Sequence, residues 1–112
     1  MIIKYLFNTN GSWFAFKKGK YLFNTDCEWI GWFPFENNIA VDKEGSYLGT
    51  VFLEDRLLTD LNQRHFPYPG YPGYPGYPGY PGYPGYRGFC GYLPNTADIK
   101  EERLRASCII QA

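Results

Sequence analysis

The side chains that could do acid–base or nucleophilic chemistry are few and scattered. His65 is the single histidine of the 112 residues, and no Ser/His/Asp or Cys/His grouping can be built around it. Cys27, Cys90 and Cys108 are an odd number without CxxC or Cys/His ligand spacing. That argues against a disulfide framework and a zinc site, and for reduced thiols. Asp26, Glu28, Glu36, Asp42 and Glu44 are carboxylates of the kind a hydrolase pairs, but they fall in predicted turns, where carboxylates are usually just solvated. No GxxxxGK is present, nor a GxGxxG between a strand and a helix, so no phosphate cradle is indicated. The expectation is a non-enzymatic chain with no catalytic residue, no metal and no cofactor.

Aromatic and basic side chains offer a different chemistry, that of binding. Rings make up 21% of the chain, enough for a short domain to close a core from few positions. Trp13, Trp29, Trp32 and Phe33 are the candidates for a surface that meets a protein partner or a second copy of the chain. Lys17, Lys18 and Lys20, beside Trp32, Phe33 and Phe35, suit the headgroup zone of an anionic membrane. The plainer reading of that stretch is a solvated hairpin turn beside core rings. Basic and acidic residues both number 11, so there is no footprint for a polyanion and nucleic acid is not an expected partner. The apolar run Met1–Phe7 is interrupted by Lys4 and stopped by Asn8, and is too short for a signal segment or a membrane span. A cytoplasmic location is expected.

These side chains must be positioned by a repeat. Lys4-Tyr5-Leu6-Phe7-Asn8-Thr9 recurs identically, 16 residues on, as Lys20-Tyr21-Leu22-Phe23-Asn24-Thr25. Weaker copies start at Asn38 and Arg56, each a further 18 residues on. Each copy runs from a short apolar segment into a turn of the form Asn/Asp-x-x-Gly: Asn8 to Gly11, Asn24 to Cys27, Asp42 to Gly45, and the degraded Asp60 to Gln63. An Asx side chain bonds the backbone two residues ahead and glycine accepts positive φ, which is tight-turn chemistry. A second apolar run then opens on a large ring at Trp13, Trp29 and Tyr47, with His65-Phe66 expected to fill that place in the fourth copy. Short runs of aromatic and β-branched residues between turns favour strands, and the whole reads as a meander of about eight. Ala15, Gly31 and Gly49 share a column in which small residues permit close backbone approach, as when hairpins converge on a barrel. Apolar neighbours such as Trp13-Phe14 and Trp32-Phe33 make both faces of the sheet greasy.

The sequences Asn24-Thr25-Asp26-Cys27-Glu28-Trp29-Ile30-Gly31-Trp32-Phe33 and Asp42-Lys43-Glu44-Gly45-Ser46-Tyr47-Leu48-Gly49-Thr50, with Asp55-Arg56-Leu57, resemble the bacterial four-fold beta-flower domains. The resemblance runs from Ile3 to Phe66. It implies an all-β fold, a shallow pseudo-four-fold barrel of short antiparallel hairpins. The family shape has been likened to tubby-type lipid-binding barrels, which makes membrane lipid a candidate ligand by analogy. Cys27 and Gln63 depart from the pattern, standing where the turn glycine is expected.

The organisation that follows is a hairpin-repeat domain over 1–66, a low-complexity segment over 67–92 and a C-terminal segment over 93–112. From Tyr68 to Tyr86 the chain is a Tyr-Pro-Gly array with six Pro-Gly pairs. Proline removes a backbone donor and glycine raises entropy, so disorder or loose polyproline-like structure is the default expectation. A collagen-like helix, a Pro-x-x-Pro ligand, or tyrosines that self-associate or cover the module's apolar face are the other readings. Thr96 to Ser107 is rich in helix formers, and a short helix capped by Thr96 is expected there.

Overall fold

The computed structural model describes residues 3–35, 38–63 and 65–104, with backbone alone at Glu101 and Glu102. Seven strands follow one another as an antiparallel meander: β1 (Ile3–Phe7), β2 (Trp13–Lys18), β3 (Tyr21–Asn24), β4 (Trp29–Trp32), β5 (Ile39–Asp42), β6 (Tyr47–Phe52) and β7 (Arg56–Asp60). The first and seventh strands are separated by an even number of reversals and so point the same way. The pair that closes the barrel is therefore parallel, with Phe7 opposite Arg56. The Phe7 amide reinforces that seam by donating to the Asp55 carbonyl at 2.8 Å. The fold is all-β, as the repeat requires.

Four equivalent turns carry the pseudo-symmetry. The side-chain oxygen of Asn8 accepts from the Ser12 amide, that of Asn24 from Asp26 and Glu28, that of Asp42 from Glu44 and Ser46, and that of Asp60 from Asn62. The carbonyls of the same four residues accept from the amides of Gly11, Cys27, Gly45 and Gln63 at 3.0–3.1 Å. Local Asx chemistry thus writes the turns directly. Cys27 holds the left-handed conformation at φ 66°, where Gly11 and Gly45 stand at 93° and 90°. Gln63 makes the turn's backbone bond without needing a glycine.

One register shift recurs in each of the first three hairpins, at Leu6/Phe7, Leu22/Phe23 and Ala40/Val41. A bulge twists the strand and re-aims the side chains that follow it, so inside/outside alternation breaks at the same place in every copy. Opposite these positions stand Ala15, Gly31 and Gly49. A side chain at Gly31 would run into the Val41 carbonyl, and one at Gly49 would come within 3.1 Å of the Leu58 carbonyl. Neighbouring hairpins approach too closely there for anything larger.

Two apolar layers result. The inner one, between the strands, contains Leu6, Leu22, Ile30, Leu48 and Leu57. The outer one contains Phe16, Phe23, Cys27 and Trp29, flanked by Tyr5, Trp13 and Tyr21. The greasiness of both faces is thereby explained, because both faces are covered.

The fourth hairpin departs from expectation. His65-Phe66 does not form its second strand, and His65 is exposed rather than a member of the tryptophan column. Pro67 and the prolines that follow cannot donate along a ladder. Instead β8 (Thr96–Ala97) returns to pair with β7, Thr59 opposite Ala97 and Asp60 opposite Thr96. Thr96 is consequently a strand residue and not a helix cap. Of the expected C-terminal helix, a single 3-10 turn at Glu101–Leu104 is present, and its remainder lies outside the described residues.

Residues 98–104 then cross the turn end of the barrel. Asp98 accepts from the Thr9 amide and hydroxyl at 2.9 and 2.8 Å, Asn24 donates to the Leu104 carbonyl at 2.8 Å, and Arg103 donates to the Tyr47 carbonyl and pairs with Asp42. Ile99 and Leu104 pack against the inner core between these bonds.

Candidate functional site

The rings that open β2, β4 and β6 occupy equivalent places on the outer face. Trp13 donates its indole N–H to the Ala15 carbonyl at 2.8 Å, and Trp29 does the same to Gly31 at 2.7 Å. Tyr47 bonds Thr50 at 2.6 Å. Each ring is therefore folded back along its own strand by a bond within three residues, which sets its face outward over the sheet.

The Tyr-Pro-Gly array lies across these rings and is not a disordered tail. Phe66 meets Tyr47, Tyr71 and Tyr74 meet Trp29, and Tyr80 and Tyr83 meet Trp13, at centroid separations of 5.6–6.2 Å. The two tryptophan contacts repeat at an interval of nine residues, three triplets of the array. Its glycines hold φ between 85° and 97° from Gly70 to Gly85, which after proline is the φ signature of a type II turn. The array thus bends regularly and follows the barrel's circumference, meeting the hairpins in reverse order. Hydrogen bonds fasten it at intervals: Tyr5 OH to the Pro81 carbonyl, Lys18 Nζ to the Pro78 carbonyl, and the Arg87 and Cys90 amides to the Gly11 and Thr9 carbonyls. The backbone of Gly88 passes so close to Gly11 that no side chain could stand between them. β8 ends the circuit by completing the fourth hairpin.

A family model described as 4-fold beta flower protein matches residues 2–89. The chain belongs to this family. Neither the comparison with curated proteins nor that with solved structures gave a match. In this beta-flower the matched stretch takes in the array as far as Phe89, beyond the Ile3–Phe66 stretch in which the turns and rings recur.

The candidate binding residues fall into two groups. Trp13 and Trp29 share the outer face under the belt of tyrosines, Trp13 half-buried and Trp29 buried, so neither is a bare surface ring. Trp32 and Phe33 are buried at the far end of β4, where the Lys17 ammonium lies 4.6 Å from the Phe33 ring and that of Lys20 lies 5.7 Å from Trp32. Burial, and then the positive charge of Lys4 across the ladder, holds the Lys17 ammonium below its ordinary pKa. Lys17 and Lys18 end strand β2 and do not form a turn; Lys18 is tied to the belt. No helix among the described residues is long and apolar enough to cross a membrane.

A groove of about 950 Å³ opens between the belt and the second and third turns. Trp29, Tyr71, Tyr74 and Tyr77 line it together with Asp26, Glu28, Glu44, Lys43 and the Cys27 thiol. Interaction with the neighbouring Cys27 thiol raises the pKa of the Tyr77 phenol. In the sequence these tyrosines stand out only collectively, as a cover for the module's apolar face beside the default of disorder, because no single triplet distinguishes itself. The available signal was joint: an outer sheet face too apolar to be bare, and a ring at every third position of the array.

Proposed function

We propose that this beta-flower is a binding module whose contact surface is the tyrosine belt, and that its partner is a second copy of the chain. One observation carries the reading: every tyrosine from Tyr68 to Tyr86 is 58–72% exposed although the belt is laid on a folded barrel. The stretch 65–86 contains no Asp, Glu, Lys or Arg. Tyrosine supplies large amphipathic contact area with little side-chain entropy to lose, and a monomer rarely leaves such a surface without use. Zero formal net charge removes long-range repulsion between copies. Tyr5 already bonds the Pro81 carbonyl within one chain, and tyrosines of a facing copy can make the same bond to neighbouring carbonyls. The same patch on both copies forms an isologous dimer.

Sedimentation velocity of the full chain over a concentration series tests this. Dimer formation is expected, weakened about tenfold by Tyr77→Ser with Tyr86→Ser, as for loss of interface aromatic anchors. A monomer at every concentration overturns the reading. The basic group gives less support to a lipid role, because Lys18 is held by Pro78 and the barrel interior is filled by Leu6, Leu22, Leu48 and Leu57.

A further inference from the structure

The groove beside Trp29 combines two features that select the same kind of guest. Tyr71 and Tyr74 stand 5.6 and 5.8 Å from Trp29 at interplanar angles of 57° and 58°, so the three rings are splayed around a shared space and not closed into a stack. The lining also holds three carboxylates, Asp26, Glu28 and Glu44, against the one ammonium of Lys43, a formal charge of −2. Ring faces carry negative potential through their quadrupole, and the carboxylates add to it. An anion is disfavoured by both.

A third observation shows which cation chemistry the rings accept. The Lys43 ammonium sits 5.7 Å from the centroid of the Trp29 ring, so the free protein already places a positive charge on this face. A primary ammonium is strongly hydrated and gives up water reluctantly. An alkylated ammonium has a weaker hydration shell and no need of acceptors for its methyl groups, and aromatic faces compensate its dehydration well. The groove volume of about 950 Å³ lies at the upper end for small-molecule sites, leaving room for a body beyond the head group.

We propose that this groove binds an alkylated ammonium group, with Lys43 as the internal cation that it displaces from Trp29. The groove shares Tyr71, Tyr74 and Tyr77 with the belt, so the titration is run at concentrations where sedimentation shows the monomer, which keeps its outcome separate from that of self-association. The test uses the full chain, calorimetric titration with choline, and 3,3-dimethylbutanol as the neutral analogue of the same shape. Saturable choline binding is expected, with the neutral analogue about tenfold weaker or more, the scale of a partly desolvated cation–π contact. Lys43→Ala is expected to tighten choline binding severalfold, because it removes the competing ammonium. Glu44→Gln is expected to weaken it about twofold to fivefold, as for a solvent-exposed charge.

Both positions lie in a surface turn, Lys43 half-buried and Glu44 exposed, so the variants test the idea even if Trp29→Leu fails to fold. Equal affinity for choline and its neutral analogue overturns the proposal, as does weaker choline binding by Lys43→Ala or no saturation at all. A parallel arm with phosphatidylcholine vesicles separates the sources. Co-sedimentation assigns a lipid headgroup as the natural carrier, and choline binding without co-sedimentation assigns a free solute; either supports the site.

Discussion

The inner and outer apolar layers of this beta-flower are almost equally buried, yet they are sealed by different means. Leu6, Leu22, Leu48 and Leu57 of the inner layer and Phe16 of the outer one are all inaccessible, and Phe23 and Trp29 nearly so. The inner layer is enclosed by the strand ladders themselves. The outer layer is enclosed by a belt held through ring contacts and a handful of hydrogen bonds. Burial of a side chain and permanence of its cover are therefore separate properties. Opening of the belt is expected to be a local event that leaves the ladders of the first seven strands intact, since local openings cost less free energy than global unfolding.

The largest expected effect lies in the inner layer. Leu22→Ala leaves a cavity between strands and is expected to lower global stability by about 2–5 kcal/mol, measured by chemical denaturation. Gly11→Ala acts on the belt's end. It places a side chain where Gly88 passes and demands φ 93° of an alanine, a strain of about 1–3 kcal/mol. Amide exchange is expected to quicken at Arg87 and Cys90 while the Leu22 amide keeps its protection. Equal loss of protection at both places would break the comparison, since belt and barrel would then open as one unit. Tyr80→Ser with Tyr83→Ser is expected to cost about 0.5–1.5 kcal/mol per ring pair, and red-shifted Trp13 emission would report the uncovered ring.

The barrel was legible in the sequence, whereas its tyrosine cover stood there only as one reading beside the default of disorder. Asn8, Asn24, Asp42 and Asp60 write their turns through bonds that span at most four residues, so each copy announces itself. The small residues at Ala15, Gly31 and Gly49 likewise reveal converging hairpins, because close backbone approach excludes any other type. The belt depends on contacts between residues far apart in the chain, such as Tyr5 with Pro81 and Trp13 with Tyr80. Composition alone gives a Tyr-Pro-Gly array every reason to stay unfolded, and only an outer face already lined with Phe16, Phe23 and Trp29 supplies the burial that orders it. The fourth hairpin shows the same limit. Asp60 marks its turn, but nothing local to Thr96-Ala97 indicates a strand, whose existence depends on the belt bringing it back to β7. The site followed suit: Trp13 and Trp29 were visible as rings, whereas Tyr71, Tyr74 and Lys43 become partners only once the circuit is made.

The smallest expected effect separates charge from backbone at the point where the belt is fastened. Arg87 pairs with Asp55 at 2.7 Å, but its side chain is 61% exposed, so water and salt screen the attraction. Asp55 also keeps a second partner, Arg56, whose guanidinium donates to the Asn8 and Thr9 carbonyls beneath the belt. Arg87→Ala therefore leaves no buried charge unpaired, and its cost is expected to be about 0.2–1 kcal/mol. Repeating the denaturation in 1 M salt should shrink the difference between variant and parent, because the screening length falls to about 3 Å. A salt-independent loss above about 2 kcal/mol would show that this pair is the true fastening of the belt. In that case the outer cover would be secured electrostatically, and Gly11→Ala would release it less than the backbone contact with Gly88 implies.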